Sequence, residues 1–396
     1  MLNILIAPYT NSLGHAGRCL QFVNCLTKTK ANLIIVGGGE YDTIFHQAVI
    51  DSPQIPYPLL GDWLRFYLPG LPFFKGQDKN NILDVGKVFK HRTYTLENLT
   101  ELWMLILERY KPDLIVTDTR PEIYWAAKIM NVPLLGIVSF VWTPFFESMY
   151  GLEQGLGRDE GMNERLLYNF NFVGLSYGQE AINNCWEPIF GKGKLIPDLR
   201  LFTGDMPETY LNIGPQVWDG LEYVGEVLFD DFDNDRPVIY VTSGTSRFDV
   251  FRDVAHILSR DGYQVVLSGG VRNIENASIE KKGTLYVCNG IMPGLEITRM
   301  SDLVLCHGGS QTLYQAAFSG TFAFVLPQHF DHLRNGLMFT RHKMARLLKP
   351  GTLPHDIARQ IICQLEANND MPPVHVPFRG DELITDTLFS FFRKCK

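Results

Sequence analysis

Short apolar runs recur along the chain, and most are followed by a turn and a segment with helical spacing. In the first half they are NILIAPY (3–9), ANLIIVGGGE (31–40), PDLIVTD (112–118) and VPLLGIVSF (132–140). In the second half they are PVIYVTSGT (237–245), YQVVLSGG (263–270), TLYVCNG (284–290), DLVLCHGG (302–309) and FAFVLPQ (322–328). Strands that are apolar throughout and alternate with helices are typical of parallel sheets covered on both faces. The pattern predicts an α/β protein with two Rossmann-like doubly wound domains, facing each other across a cleft at the carboxyl ends of their strands.

An acidic, turn-rich stretch separates the two series of strands. It runs through YVGEVLFDDFDNDRP (223–237), directly before a fresh strand, and a chain of 396 residues is long enough for two domains. We therefore predict a first domain over 1–223 and a second over 224–375. The remaining segment, 376–396, contains the helix candidate ELITDTLFSFFRKCK; whether it packs back on the first domain is left open by the sequence.

Charge, cysteine content and hydropathy exclude several classes of protein. A formal net charge of −7 without a basic cluster argues against a nucleic-acid surface. The seven cysteines are scattered, odd in number and without a CxxC pair, which suits reduced thiols better than a disulfide framework. The first residues, MLNILIAPYT, read as a strand, and no apolar run reaches the ~20 residues of a membrane span. We expect a cytoplasmic protein without a transmembrane segment; contact with a membrane surface stays open.

The stretch LVLCHGGSQTLYQAAFSG (303–320) carries a candidate anion site. Its apolar run stops at His307 and two glycines, and a helical pattern begins directly behind them. A helix start leaves free N–H groups and a positive dipole end, and Ser310 adds a hydroxyl. The hydroxyl-rich TSGT (242–245) ends another strand of the same domain and offers further donors. Together these features predict a site that holds a diphosphate without a metal, the alternative being a plain tight turn.

A histidine and an aspartate of the first domain are candidates for acid–base chemistry. His15 lies in NSLGHAGRCL, in the predicted loop between the first strand and the helical run GRCLQFVNCLTKT, and Asp118 ends the strand PDLIVTD. A histidine is the usual general base near neutral pH, and a carboxylate that fixes its tautomer makes it effective. For each residue alone, a helix-capping or surface role is the alternative.

The C-terminal motif HGGSQTLYQAAFSGTFAFVLPQHFDHLRN (307–335) resembles the nucleotide-sugar signature of GT-B glycosyltransferases of the UDP-glycosyltransferase type. That signature has His-Gly-Gly, an acidic residue eight positions on, a Gly, a strand ending in Pro, then Asp-Gln and Asn. Looser matches are YVGEVLF (223–229), VIYVTSGTS (238–246), PDLIVTDTRPEIYWAAKIMNVPLL (112–135) and GHAGRCLQFVNCL (14–26). The resemblance implies the GT-B fold, with an acceptor-binding domain followed by a nucleotide-sugar-binding domain.

The resemblance also implies a role for individual residues. His15 would deprotonate the acceptor hydroxyl, with Asp118 on its other ring nitrogen. The diphosphate would be held by Thr245, His307, Gly309 and Ser310. Asp331 would bind hydroxyls of the donor sugar.

Three departures from the signature concern the donor. Gln315 stands where the signature has its ribose-binding acid, and an amide binds hydroxyls less strongly than a carboxylate. His332 stands where it has the glutamine that follows Asp331, which leaves the sugar open. The base-stacking tryptophan of plant members aligns near Asn289, so base recognition falls to the segment up to Met292, including Ile291.

Two aromatic segments are candidates for the acceptor site. The Pro-rich PQIPYPLLGDWLRFYLPGLPFF (53–74) contains Trp63 and Phe66, and FVWTPFFESMY (140–150) contains Trp142 and Phe145. For the first segment, an irregular packed connection is an equal alternative. These aromatics predict a hydrophobic or aromatic small-molecule acceptor.

Two stretches that could bind a metal are weaker signals. DDFDNDRP (230–237) has two Asp-x-Asp matches but lies in a linker before a strand, which favours a solvated acidic turn. QHFDHL (328–333) offers His329, Asp331 and His332 without a further ligand at related spacing. We predict no metal and no cofactor, the nucleotide sugar being a co-substrate.

The sequence thus predicts an inverting, metal-independent glycosyltransferase. It would move a sugar from a UDP- or dTDP-sugar to a hydroxyl of a hydrophobic small molecule. The alternatives are a lipid acceptor at the membrane face, a sugar-nucleotide epimerase, and a non-catalytic nucleotide-sugar binder. Only a transferase needs a second substrate.

Overall fold

The chain forms two compact units. A computed structural model describes residues 2–10, 13–37, 41–42, 44–45, 55–56, 93–150, 160–184, 187–191, 193–218, 232–233, 235–244, 249–269, 278–290, 292–367 and 380–395. One unit comprises Met1–Gln216 and Arg379–Lys396, and the other Val217–Phe378. The division between Gln216 and Val217 lies a few residues before the predicted boundary at 223/224. No helix in the described ranges is long and apolar enough to cross a bilayer.

The first unit contains a six-stranded sheet whose paired strands are all parallel. Its order is β2-β1-β3-β4-β5-β6. The strands are β1 (Asn3–Pro8), β2 (Asn32–Ile35), β3 (Leu114–Asp118), β4 (Leu134–Ile137), β5 (Gly193–Ile196) and β6 (Tyr210–Asn212). β3 is buried along its whole length, as its unbroken apolar run predicts, and it pairs with β1 so that Pro8 lies opposite Asp118. The carboxyl ends of these two central strands are therefore neighbours.

Helices connect these strands. They are α1 (Leu13–Thr27), α2 (Thr93–Tyr110), α3 (Tyr124–Ile129), α4 (Pro144–Tyr150), α5 (Glu160–Ser176), α6 (Glu187–Phe190), α7 (Arg200–Thr203) and, from the end of the chain, α13 (Gly380–Cys395). α1 begins before the predicted helical run, so His15 lies in its first turn and not in a loop. The core between sheet and helices includes the fully buried indoles of Trp103 and Trp125. α13 contacts α1 and buries Ile384 and Leu388.

The second unit contains a seven-stranded sheet in the order β13-β12-β11-β7-β8-β10-β9. Its strands are β7 (Val238–Thr242), β8 (Gln264–Ser268), β9 (Ser278–Lys282), β10 (Leu285–Asn289), β11 (Leu303–Cys306), β12 (Phe322–Val325) and β13 (Ala345–Leu347). All pairs are parallel except β9 with β10. β9 is a largely exposed edge strand. β7 and β11 pair side by side, so the predicted TSGT and HGG turns follow neighbouring strands.

The helices of the second unit are α8 (Asp249–Arg260), α9 (Gly294–Arg299), α10 (Ser310–Ser319), α11 (Phe330–Arg341) and α12 (Pro354–Glu366). α8 shows why they pack on the sheet: it buries Phe251, Val254, Ala255 and Leu258, which recur at helical spacing along one face. The two parallel α/β sheets predicted from the apolar runs are both present. The strands β5, β6, β9 and β13 were not among the predicted runs; β6, β9 and β13 lie at sheet edges.

Candidate active site

His15 and Asp118 are in contact in the first unit. The Nδ1 atom of His15, in the first turn of α1, lies 2.7 Å from Oδ1 of Asp118, at the end of β3. The carboxylate is fully buried, whereas the His15 side chain is 30% exposed. The ring of Tyr9 packs edge-on against the imidazole, with ring centroids 5.7 Å apart. The two residues that the sequence could not show to touch are therefore neighbours, because β1 and β3 end side by side.

The contact fixes the tautomer of His15. A separation of 2.7 Å between Nδ1 and Oδ1 requires a proton between the two atoms. Burial alone would raise the pKa of Asp118, but the charges of Arg18 and His15, with their hydrogen bonds, outweigh it and lower the pKa. The carboxylate is therefore ionised and the proton belongs to Nδ1. Since the hydrogen bonds of His15 to other described residues use Nδ1, Nε2 keeps its lone pair for a proton from outside.

Arg18 was not predicted as part of this site. Its guanidinium is buried and donates from Nε to Asp118 Oδ2 (2.9 Å) and from Nη2 to Oδ1 (3.0 Å). Nη2 also lies 3.0 Å from His15 Nδ1. The signal that could have revealed it is that Arg18, three positions after His15, is the one Arg, Lys, Asp or Glu of α1.

The backbone after β3 is held in place by further polar contacts. Thr119 has a φ of +56° and donates from Oγ1 to Asp118 Oδ1 (3.0 Å). Arg120 is fully buried, pairs with the Glu122 carboxylate and donates from Nη1 to the Pro8 carbonyl (3.2 Å). The hydrogen bond from Arg120 to Pro8 joins the ends of β1 and β3 and therefore fixes the position of Asp118 relative to His15.

The His-Gly-Gly turn of the second unit joins β11 to α10. Gly309 caps α10 with an extended backbone and without a side-chain hydrogen bond, which leaves the first N–H groups of the helix for another partner. Gly308 has a φ of +98°, and a Cβ there would lie 2.7 Å from the carbonyl oxygen of His332. Only glycine satisfies both conditions. Ser310 opens α10 directly behind the turn.

The imidazole of His307 fills the space between two glycine backbones. A Cβ on Gly244, after β7, would lie 2.5 Å from His307 Cε1, and one on Gly309 would lie 2.5 Å from Nε2. Burial, with the nearby rings of His332 and His329, lowers the pKa of His307 to about 3. His307 is therefore neutral and offers hydrogen bonds without a charge. The TSGT turn does lie beside the His-Gly-Gly turn, although Thr245 itself is outside the described residues.

His332 lies against His307. The two rings meet edge to face with centroids 4.4 Å apart, and burial lowers the pKa of His332 despite an opposing effect of Asp331. The Nδ1 atoms of both histidines are buried and have no partner among the described residues. Unpaired buried polar atoms are uncommon in folded proteins and call for a partner such as water or a ligand. Asp331, 38% exposed, opens the first turn of α11 beside them.

Asn335 ties α11 to the same turn, through a 3.0 Å hydrogen bond from Nδ2 to the Gly308 carbonyl. His307, Gly309, Ser310, Asp331 and His332 thus belong to one cluster of two helix starts, α10 and α11.

The side-chain amide of Gln315 is hydrogen-bonded to the backbone of another residue. Its Nε2 donates to the Trp218 carbonyl (3.0 Å), while Gln311 Oε1 accepts from the Trp218 N–H (3.0 Å). The Gln315 amide also lies against Gly294, where a Cβ would be 2.5 Å from Oε1. The residue predicted to bind ribose therefore holds the backbone of Trp218 as well. This contact spans 97 residues of sequence, and nothing in the sequence pattern signals it.

The remaining predicted residues are divided between described and undescribed parts of the chain. Asn289 ends β10 and Met292 is buried just before α9, on either side of Ile291, which is outside the described residues. Trp142 is 37% exposed after β4, and Phe145 packs edge-on against Tyr210 at 5.1 Å. They follow the strand next to β3, which carries Asp118. Trp63 and Phe66 also lie outside the described residues.

The weaker metal signals do not gather ligands. Within the described ranges, no group of three His, Cys, Asp or Glu side chains could hold a metal ion. In the acidic stretch, the Asp233 carboxylate pairs with Arg236 at 3.0 Å and accepts the backbone N–H of Asp235. Asp233 thus has the role of a turn residue.

Curated relatives of the chain are glycosyltransferases. It is 24% identical over 261 residues to a PGL/p-HBAD biosynthesis rhamnosyltransferase of Mycobacterium bovis (strain BCG / Pasteur 1173P2), a match covering 60% of the chain and 56% of the relative. It is 24% identical over 272 residues to a PGL/p-HBAD biosynthesis glycosyltransferase of Mycobacterium tuberculosis (strain ATCC 25177 / H37Ra), covering 63% and 62%. The chain thus spans less than two thirds of the length of these relatives. No protein-family model matches it.

Solved structures resemble the chain over nearly its whole length. The glycotransferase of kitacinnamycin is 18% identical with a TM-score of 0.65, over 99% of this chain and 95% of that one. Glycosyltransferase VinC in complex with dTDP is 14% identical with a TM-score of 0.64, over 100% and 99%. Arabidopsis thaliana UGT89C1, complexed with UDP, is 14% identical with a TM-score of 0.66, over 99% and 100%. The chain has the GT-B fold of these proteins, which confirms the fold predicted from its sequence.

Proposed function

We propose that this protein is an inverting, metal-independent glycosyltransferase that moves a sugar from a nucleoside diphosphate sugar to a hydroxyl group. The observation that carries the proposal is the 2.7 Å contact between His15 and Asp118, which leaves His15 Nε2 free to accept a proton. An ionised, fully buried carboxylate behind a partly exposed histidine is the arrangement of a general base and its orienting group.

The proposed reaction begins with removal of a proton from the acceptor hydroxyl by His15 Nε2. The acceptor oxygen attacks the anomeric carbon of the donor while the bond from that carbon to the phosphate oxygen breaks. Both electrons of the broken bond leave with the nucleoside diphosphate. Because one displacement inverts the carbon, the product has the opposite anomeric configuration. General base assistance of this kind contributes roughly 10²- to 10⁴-fold to the rate.

The second unit supplies what a departing diphosphate needs. The N-terminal end of α10 presents free N–H groups next to the Ser310 hydroxyl, and this positive end stabilises developing negative charge. The neutral His307 and His332 rings have unpaired polar atoms at the same turn. These donors favour release of the leaving group without a metal ion. Asp331 opens the neighbouring helix and is proposed to bind hydroxyls of the donor sugar.

The donor is proposed to be a UDP- or dTDP-sugar. The chain resembles one protein solved with dTDP and another solved with UDP. Asn289 and Met292 flank the segment proposed to recognise the base. Gln315 keeps Oε1 as an acceptor for a ribose hydroxyl while Nε2 holds Trp218.

A hydrophobic or aromatic hydroxyl compound is the proposed acceptor. Trp142 and Phe145 lie at the end of the strand beside the one that carries Asp118. UGT89C1 has also been solved with quercetin, a hydroxylated aromatic molecule, and the curated relatives act in PGL/p-HBAD biosynthesis by name. A lipid acceptor at a membrane face is the second candidate, because the exposed indole of Trp142 suits it as well.

The transferase is favoured over an epimerase and over a non-catalytic binder. A binder of nucleotide sugars has no use for a histidine of the first unit whose tautomer is fixed by a buried carboxylate of that same unit. An epimerase acts on the donor alone and needs no acceptor site. The relatives named above are all transferases.

A thermal-shift screen of UDP, dTDP, GDP, ADP and CMP tests the donor half of the proposal. Ligand at about 100 times its dissociation constant adds roughly 2.7 kcal/mol to the free energy of unfolding. We expect a clear rise in Tm with UDP or dTDP that is lost in His307→Ala. No rise with any nucleotide would mean that the His-Gly-Gly turn is only a turn, and the transferase proposal would fall with it.

A further inference from the structure

Arg18 is built into the His15–Asp118 pair. It lies three residues after His15 on α1, so both side chains emerge from the same face of the helix. Its Nε atom lies 2.9 Å from Asp118 Oδ2, and its Nη2 atom lies 2.8 Å from Oδ2 and 3.0 Å from Oδ1, so the fork contacts both carboxylate oxygens. The guanidinium is buried, and Asp118 is fully buried beneath it.

The geometry of a guanidinium sets the plane of the carboxylate it binds. A carboxylate bound by a single donor can rotate about its Cβ–Cγ bond, whereas two parallel N–H donors hold both oxygens in the plane of the fork. Here the fork places Oδ2 on Arg18 Nε and turns Oδ1 towards His15 Nδ1. Thr119 Oγ1 also donates to Asp118 Oδ1, at 3.0 Å.

A buried cation next to an imidazole can also favour the wrong tautomer of the histidine. Arg18 Nη2 lies 3.0 Å from His15 Nδ1, so it could donate to that nitrogen if the proton were on Nε2. In that tautomer Nε2 would have no lone pair for the acceptor hydroxyl. Because Arg18 Nη2 donates instead to Asp118 Oδ1, the same oxygen is held where it can accept the Nδ1 proton.

We infer that Arg18 is a positioning residue that fixes the Asp118 carboxylate so that His15 carries its proton on Nδ1 and presents an unprotonated Nε2. The catalytic meaning of this inference rests on the proposed function, whereas the positioning itself does not. Within the described part of the chain, the other charged or titratable groups that act on Arg18 are Cys19 and Asp198. Burial and the charge of Asp118 hold the pKa of Cys19 well above its ordinary value, so this thiol is neutral.

The test reads the tautomer of His15 directly and needs no turnover. Nitrogen-15 NMR of histidine-labelled protein at alkaline pH, where imidazole is neutral, shows which ring nitrogen holds the proton. The His15→Gln protein assigns the signal. We expect a single Nδ1–H form in the unaltered protein, a mixture of both tautomers in Arg18→Gln, and an intermediate result in Arg18→Lys, which keeps the charge without the fork. Arg200→Gln is the matched control, since Arg200 is 80% exposed and its ion pair among described residues is with Asp205, which is 94% exposed.

Kinetics provide the second readout. A misplaced catalytic group can cost about 100-fold in rate, so kcat of Arg18→Gln should fall by about that factor while KM for the donor stays unchanged. Non-denaturing guanidinium should restore part of kcat in Arg18→Gly, and equal ionic strength of a sodium salt should not. If Arg18→Gln fails to fold, the guanidinium rescue of Arg18→Gly still tests the positioning role.

The outcomes separate the two proposals. A folded Arg18→Gln protein that keeps the Nδ1–H signal overturns the positioning role, whatever its activity. An unaltered protein that transfers no sugar from any donor overturns the proposed function, while the NMR result still decides the role of Arg18.

Discussion

The imidazole of His332 meets that of His307 edge to face, with ring centroids 4.4 Å apart and an interplanar angle of 86°. This contact joins the start of α11 to the turn before α10. Both rings have a lowered pKa, so two neutral histidines stand where a diphosphate site is proposed. Their position leads to a prediction about acid stability.

The His307 ring should make the protein lose stability in mild acid. Its pKa is about 3 in the fold and near 6.5 in the unfolded chain, so between these values the unfolded state binds the extra proton. The stabilisation that neutral His307 provides is therefore fully present above pH 6.5. Below that value the free energy of unfolding falls by about 1.4 kcal/mol for each unit by which the pH decreases, for this one group. His307→Asn should have a flatter profile of Tm against pH in that window. Profiles with identical slopes would contradict the neutral, buried state.

Replacing His15 should nearly abolish transfer while leaving the fold intact. We expect kcat of His15→Gln to fall roughly 10²- to 10⁴-fold, because the general base is lost. The Tm and the affinity for the nucleotide should not change, since the side chain is partly exposed and lies in the other unit from the proposed donor site. Asn24→Ala, an exposed change on the same helix, is the control. Full activity of His15→Gln argues against a base at this position.

Asp118→Asn should lower the free energy of unfolding more than the removal of a surface charge does. It leaves the Arg18 guanidinium buried without its anion, and breaking such a pair costs about 3–5 kcal/mol. Arg18→Met together with Asp118→Asn should recover much of this loss, because no unpaired charge remains. Urea unfolding of the unaltered protein and of both variants checks the order of stability. If the double variant is no more stable than Asp118→Asn, the pair is not the cause.

Gly308→Ala should disrupt the proposed diphosphate turn. A left-handed backbone alone costs an alanine about 1–2 kcal/mol, and here the new Cβ would also lie 2.7 Å from the His332 carbonyl. Gly351→Ala is the matched control, because it has a φ of +82° with nothing within 4 Å of the new Cβ. We expect Gly308→Ala to lose the thermal shift with nucleotide and Gly351→Ala to keep it. The reverse order would contradict the role of the turn.

The two glutamines that hold Trp218 should respond differently to the same change. Gln315 acts through its Nε2 donor, so Gln315→Glu removes the hydrogen bond to the Trp218 carbonyl and should cost about 1–3 kcal/mol. Gln311 acts through its Oε1 acceptor, which Gln311→Glu retains. Chemical denaturation of both variants measures the difference. Equal losses would mean that the amide orientations differ from those described.

Much of this arrangement could be predicted from the sequence because strand ends determine it. Asp118 ends an unbroken apolar run, His15 follows another, and adjacent parallel strands bring such ends together. The His-Gly-Gly turn was predictable from its glycines and the helical pattern behind it.

Other parts depend on contacts that leave no local pattern. The role of Arg18 depends on its contact with Asp118, which is 100 residues away in the sequence. The hydrogen bond between Gln315 and Trp218 likewise joins distant segments. The edge strand β9, SIEKK, was missed because it is largely exposed and polar and has none of the apolar character of the central strands.

Sugar transfer by this protein is measured as release of nucleoside diphosphate that depends on an acceptor. The protein is incubated with UDP- and dTDP-sugars, with and without a panel of hydroxylated aromatic and lipid acceptors, and the configuration of any product is read by NMR. We predict release only when an acceptor is present, and a product with inverted anomeric configuration. Release that needs no acceptor, or a product that retains the donor configuration, would contradict the account.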